Sequence, residues 1–201
     1  FTHRTDQYAR RVLGDRAAGE PIVAGPLVRL ACERHLRDRQ DAEAGGFPWI
    51  FDTEAADHVF AFFEAVLRLP DTLDETGAPK PFLLQPWQAF IVGALFGWKA
   101  GATGLRRFRE AYVEVSKGAG KTPLAAGLGL YGLVADGPDT AREVYAAATD
   151  RLQAGILHRD AMRMVEASPD LDALLYRSVG NIAFDAELSF FRPFSREQGV
   201  K

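Results

Sequence analysis

The sequence predicts an α/β fold: a parallel sheet flanked by helices, preceded by a helical N-terminal region. Three observations predict it. An alternating charged and apolar run, Glu110 to Val115, leads directly into Ser116-Lys117-Gly118-Ala119-Gly120-Lys121-Thr122 and then an Ala- and Leu-rich helical pattern. A second strand pattern, Arg142 to Thr149, is followed by a helical pattern reaching Glu166. The first third of the chain has helical spacing.

In chain order, Ile22 to Arg39 places Val23, Leu27, Leu30 and Ala31 on helical spacing. Asp52 is a cap for a helix from Glu54 to Leu69, striped by Phe60, Phe63, Val66 and Leu67 and stopped by Pro70. The turn-rich "PDTLDETGAPKP" is the expected boundary, giving a helical region over 1–78 and an α/β core over 79–201. Pro86 suits the first turn of a helix in which Trp87, Phe90, Ile91, Ala94, Leu95 and Trp98 recur at three- and four-residue steps. A helix runs from Lys121 to Val134, and Thr149 or Asp150 caps the next. The late apolar runs "NIAFD" and "LSFFRPF" read as a hairpin or two short strands.

Composition narrows the class. The 201 residues, 47% hydrophobic and 25% charged, suffice for one substantial core and exclude extensive disorder. The single cysteine, Cys32, forms no internal disulfide and suits a reducing compartment. The best apolar stretch, Thr122 to Ala135, is too short to span a membrane, and the opening residues lack a secretory signal's apolar core. A net charge of −3 excludes general electrostatic attraction to nucleic acid. The one basic cluster, Arg106, Arg107 and Arg109, reads as a solvated turn, with local DNA contact as the other reading.

The Ser116–Thr122 stretch carries the chemistry. A triphosphate needs many donors aimed inward, which successive backbone N–H groups and the positive end of a helix supply. Gly118 and Gly120 stand where the backbone must take positive φ or approach phosphate too closely for a Cβ. Lys121 is positioned to compensate phosphate charge, Lys117 adds a second cation, and the Thr122 hydroxyl is the Mg²⁺ ligand of an ATP site. Two residues depart from the strict pattern: Val115 replaces the first glycine, and Pro123 removes one N–H.

Three segments resemble the N-terminal ATPase region of the tailed-phage terminase large subunit: "AGPLVRLACERHLRD" with "FPWIFDTEAADHVFAFFE", "FLLQPWQAFIVGALFGWK" with "GLRRFREAYVEVSKGAGKTPLAAGLGLYGL", and "EVYAAATDRLQAGILHRDAMRMVEASPDL". The second is the most specific. In that family a missing first glycine, a basic residue at the Lys117 position and a proline after Thr122 are common traits. The resemblance implies a P-loop ATPase core that drives DNA into procapsids. It implies as partners double-stranded viral DNA, the portal protein and the small terminase subunit, in a homo-oligomeric ring in the bacterial host cytoplasm. It sets Gln88 of "PWQAF" against adenine, where an amide donates and accepts at once; periodicity alone also reads Gln88 as a polar border of an apolar stripe. It places Gln153 in a coupling segment, while the residues alone read it as solvent-facing or capping.

Hydrolysis also needs a carboxylate opposite the Thr122 hydroxyl and a group that orients water. Asp74-Glu75 follows no buried strand, and Asp185 and Glu187 are separated by one residue after a short run. The family pattern puts the acidic pair after Lys201 and a nuclease domain further on. Ring motors typically take a transition-state arginine from a neighbouring subunit, and Arg142, Arg151 and Arg159 are available for it without the sequence choosing among them. The four histidines show no metal-ligand spacing. Two other readings remain at this point: another P-loop ATPase such as a helicase core, and a nucleotide-binding or interaction module without catalysis.

Overall fold

The structure is a computed structural model and describes residues 2–137, 141–149 and 151–195, with no side-chain description at Arg151 and Ser195. Asp150, one of the two expected caps, therefore lies outside the described residues. The chain forms two compact units interleaved in sequence, one of residues 1–61 and 84–112, the other of residues 62–83 and 113–201. Each is described by itself.

The first unit is mainly helical. It contains α1 (Arg4–Val12), α2 (Pro26–Ala44), β1 (Trp49–Phe51), α3 (Thr53–Ala61), α4 (Pro86–Gly97) and β4 (Trp98–Ala100). Helix α2 begins four residues later than the spacing of Ile22 predicts, because Gly25 caps it and Pro26 takes the first helical position. Helix α4 starts at Pro86 as expected, but Trp98 leaves the helix to pair with Phe51 in an antiparallel β1–β4 ladder. Gly93 lets α4 approach Thr5 and Phe60: a Cβ there would lie 2.0 Å from Thr5 Oγ1. The Asp52 cap forms, with the Ala55 N–H donating to its carboxylate at 3.0 Å. Trp87 packs partly buried against the Tyr8, Ala9, Val12, Cys32 and Phe90 core. Burial there pushes the Cys32 thiol up to about 12.

The basic cluster is not a solvated turn at Arg107. Its guanidinium pairs with buried Asp38 at 2.7 Å and lies within 5.5 Å of the ring centroids of Phe47, Trp49, Trp98 and Phe108. Stacking on rings and one carboxylate satisfy a planar cation that the sequence shows only as charge.

The second unit holds a π-helical turn (Phe62–Val66), β2 (Arg68–Leu73), β3 (Pro79–Pro81), α5 (Lys121–Val134), β5 (Glu143–Ala148), α6 (Arg151–Ala167), α7 (Pro169–Leu174), β6 (Tyr176–Ser178), β7 (Asn181–Phe184) and β8 (Ser189–Ser195). The helix expected to run to Leu69 stops earlier. Leu67 N–H closes back on Phe62 O at 3.1 Å, Arg68 N–H donates to Ser168 Oγ at 2.9 Å, and Phe82 N–H takes Leu67 O at 3.1 Å. These tertiary partners occupy the backbone groups that would continue a helix. Pro70 then lies inside β2, and "PDTLDETGAPKP" forms a β2–β3 hairpin. Its turn is tied by Asp74, whose Oδ1 accepts from Thr76 N, Thr76 Oγ1 and Ala78 N.

The sheet is mixed rather than wholly parallel. Its order is β5-β8-β7-β6, with β5 and β8 parallel and the other pairs antiparallel. The late apolar runs thus form the β7–β8 hairpin. Glu110 to Val115 is not a strand, since none of the described residues pairs with it in a ladder. Its alternation survives as burial, with Val113 and Val115 half-buried and Tyr112 and Glu114 exposed. Periodicity selects a face, but only hydrogen-bonded neighbours make a strand.

Helices α5 and α6 meet the same ring, that of Phe191 on β8. A Cβ at Gly129 of α5 would lie 2.6 Å from it, and His158 of α6 packs edge-on at 5.5 Å. On its other side α5 rests on Phe63, with a Cβ at Gly127 only 2.5 Å from that ring. Gly127→Val therefore overpacks this contact and lowers unfolding stability by about 1–3 kcal/mol, read from urea denaturation. A Gly127→Val midpoint equal to the parent's would contradict this packing.

His158 adds a pH dependence. Burial lowers its pKa, although its ring N–H donation to Phe191 O, at 3.1 Å, partly opposes this. The unfolded chain thus binds the proton more readily, near the ordinary value of about 6.5. The stabilisation is present above that pH and is lost as pH falls toward the lower folded value. Urea midpoints should drop between about pH 8 and 5.5, and His158→Gln should flatten that drop.

Candidate functional site

The glycine loop folds as its residue types require. Gly118 and Gly120 take φ of +83° and +86°, the left-handed region that L side chains rarely adopt. Ala119 N–H closes a turn on Ser116 O at 3.3 Å, and Gly120 caps α5. Lys121 is the first helical residue, so the loop delivers it to the positive end of a 14-residue helix. Ser116, Lys117, Gly118 and Lys121 are exposed, and Ala119, Gly120 and Thr122 are half-buried.

Among the described residues, neither Lys117 nor Lys121 has an ion-pair partner. A Cβ at Gly118 would meet no atom within 4 Å, so the loop leaves open space beside its backbone. Two uncompensated ammonium groups beside a positive-φ backbone and a helix N-terminus make a cradle for an anion. Pro123 falls inside the first turn, where its missing N–H costs no internal helix bond.

Gln88 is 3% exposed. Its Oε1 accepts from Gln85 N–H at 2.9 Å, and the Gln85 side chain accepts from Gln88 N–H, a reciprocal capping box at the start of α4. The residue at N-cap is exposed Gln85, and the Gln88 amide lies behind it. Gln153 is exposed and accepts from Thr149 Oγ1 at 3.4 Å.

The rejected carboxylates are placed clearly. Asp74 is spent on its hairpin turn. Asp185 and Glu187 lie in a 3-10 turn before β8. Glu187 pairs with Arg142 at 3.1 Å, out of hydrogen-bond alignment. Arg142 in turn donates to Leu133 O at 2.9 Å and Gly137 O at 2.8 Å, capping the C-terminal end of α5. Leu133 is twelve residues beyond Lys121 on that helix, roughly 18 Å at 1.5 Å per residue. Glu187 and Arg142 thus sit at the end of α5 opposite the loop. Arg142 is a helix clamp in this fold, not a group that reaches nucleotide on the same chain. The sequence carried no signal for the Glu187 contact, which joins residues 45 positions apart in different elements. Arg159 is exposed, and the Arg151 side chain lies outside the described residues.

Among the described residues no group of three or more His, Cys, Asp or Glu could hold a metal ion. The Thr122 hydroxyl alone fits a Mg²⁺ ion that a nucleotide's phosphates also hold, so the residues present suit phosphate better than free metal. No described helix is long and apolar enough to cross a membrane.

The family profile for the terminase large subunit, ATPase domain, matches residues 86–198, which include the whole loop and α5. The chain belongs to that family. A search of curated proteins finds no match. The structure is similar to the crystal structure of the HK97 bacteriophage large terminase, at 22% identity and a TM-score of 0.59. The likeness covers 73% of this chain but 28% of the HK97 chain, and it shows a shared fold.

Two outcomes test the geometry of this terminase ATPase region. Gly120→Ala forces a Cβ into a left-handed cap and costs about 1–2 kcal/mol in chemical denaturation. Arg142→Ala strips the C-terminal carbonyls of α5 and lowers stability by roughly 1–2 kcal/mol, while leaving Mg-ATP affinity within about twofold in calorimetry. A large affinity loss without destabilisation would contradict the clamp.

Proposed function

We propose that this chain is the ATP-binding part of a DNA-packaging motor of the terminase large subunit type. The observation that carries the reading is the Ser116–Thr122 loop, with two left-handed glycines and two lysines that have no ion-pair partner among the described residues at the head of α5. Membership in the ATPase-domain family supports it. In this reading the loop N–H groups hold ATP phosphates. Lys121 compensates the β- and γ-phosphate charge, Lys117 adds a second cation, and the Thr122 hydroxyl coordinates Mg²⁺. ATP and Mg²⁺ supply the phosphoryl group and its charge neutralisation. Gln88 is assigned to adenine by the resemblance to the terminase family.

The proposal extends to the motor. ATP turnover in the parent protein drives double-stranded viral DNA through a portal, with a small terminase subunit and a homo-oligomeric ring as partners, in the host cytoplasm. Turnover also requires a metal-directed carboxylate. That the Asp74 side chain ties its hairpin turn and that Glu187 pairs with Arg142 at the far end of α5 supports a reading in which neither fills this role. The reading therefore predicts Mg-ATP binding at the loop with little turnover assisted by Asp74 or Glu187.

Calorimetric titration of Mg-ATP into the chain and into Lys121→Ala tests this. Binding in the parent that falls at least tenfold in the variant, with turnover near background, is expected. Robust turnover lost in Lys121→Ala would overturn the assignment of the carboxylate. Binding unaffected by Lys121→Ala would overturn the assignment of the cradle.

A further inference from the structure

The four-stranded sheet of the second unit has two unlike faces. On one, Phe191 is 1% exposed against α5 and α6, and its ladder partner Ile182 is fully buried. Side chains alternate along a strand, so the neighbours of Phe191 stand on the opposite face. There Tyr145 of β5 lies opposite Arg192 of β8, with Phe190 and Phe194 two residues to either side. Tyr176 of β6 shares the row of Phe190, which Ala183 of β7 bridges. This face is open: Tyr145, Phe194 and Tyr176 are 52%, 47% and 62% exposed.

The open rings are held in place. Tyr145 meets Phe190 and Phe194 edge to face at 5.6 and 6.3 Å. The Arg192 guanidinium lies 4.1 Å from the Phe190 ring centroid, and its Nε donates to Asn181 Oδ1 at 2.8 Å. Arg192 is nonetheless exposed, so a cation already stacked and oriented is offered to solvent.

This mixture selects the occupant. An apolar protein layer laid over the rings would bury Arg192 and the Asn181 amide away from water, which is costly without partners. Unpaired bases instead stack on aromatic faces and bring a phosphate to the guanidinium. The bases of a duplex are already stacked on one another and leave the rings nothing to receive. We propose that this face binds single-stranded nucleic acid, with bases stacked on Tyr145, Phe194 and Tyr176 and a backbone phosphate on Arg192. Three strand spacings separate β5 from β6, about 14 Å, which is room for the two or three bases that four-stranded RNA-binding sheets stack. The face uses none of the residues of the Ser116–Thr122 loop, so it stands or falls apart from the nucleotide reading.

Its electrostatics are modest. Arg192 brings one cation, and Glu143 at the corner opposes phosphate while accepting the Tyr145 O–H at 2.9 Å. A single phosphate contact gives a shallow salt dependence, with log K falling by about 0.7 per decade of salt. Stacking therefore carries most of the affinity.

The test is the fluorescence anisotropy of a labelled oligothymidylate of about ten nucleotides, within the site sizes of single-strand binders, titrated with the parent chain. Saturable binding is expected, with a duplex of the same length bound about tenfold more weakly or worse. Tyr145→Leu and Tyr176→Leu keep apolar bulk but remove the ring, and each should weaken binding about fivefold or more. No binding of the single strand, equal binding of the duplex, or affinities unchanged in both variants would overturn the proposal. Excess Mg-ATP should leave the oligonucleotide bound; its displacement would put the strand on the loop and overturn the face. Should the variants lose stability in urea, photocrosslinking of a bromouracil-containing strand to the parent decides the matter. Adducts at Tyr145, Phe194 or Tyr176 support the face, and adducts confined to other residues overturn it.

Discussion

Helix α5 can do its work only if it lies close against aromatic rings on two sides, and two missing side chains permit that. Gly127 and Gly129 bring its backbone onto Phe63 and Phe191, where any Cβ would collide. Position along the helix axis is fixed at both ends. At the N-terminus, Gly118 and Gly120 turn the chain through left-handed conformations that place Lys121 at the first helical position. At the C-terminus, Arg142 gathers Leu133 O and Gly137 O while meeting Glu187. A helix so fixed presents its positive end and its lysine to one place, which is what binding a compact, highly charged anion demands.

The first unit is held by a different kind of constraint. Its apolar clusters around Tyr8, Phe90 and Trp98 are crossed by two buried carboxylates, each matched to an arginine: Asp6 with Arg39, beside the His35 ring, and Asp38 with Arg107. Such pairs contribute little net stability against well-packed apolar residues, yet removing one partner leaves a costly buried charge. Their effect here is directional. Each ties a helix to the β1–β4 ladder through Trp98, which accepts a cation on its face and donates from its edge.

Much of this was legible in the sequence because it is local. The glycine loop, the limits of α5, the β5 and α6 patterns, the Asp52 cap and the start of α4 at Pro86 depend on neighbours within a few positions. What escaped prediction depends on distant partners. The helix predicted to Leu69 ends early because Ser168 and Phe82 take its backbone groups. Glu110 to Val115 keeps strand periodicity without a ladder, and the sheet mixes orientations because β6 and β7 return as hairpins beside a parallel pair. Arg107 reads as surface charge, yet Asp38 and four aromatic rings, most of them remote in sequence, hold it.

The central claim is that the loop amides at the head of α5 receive nucleotide phosphates. Titrating Mg-ATP into labelled protein while following backbone amide shifts tests it most directly. The account predicts the largest shifts at Gly118, Ala119, Gly120 and Lys121, with the Leu133–Asp136 end of the helix nearly still. Shifts concentrated at that far end, or absent from the loop while ATP binds, would contradict it.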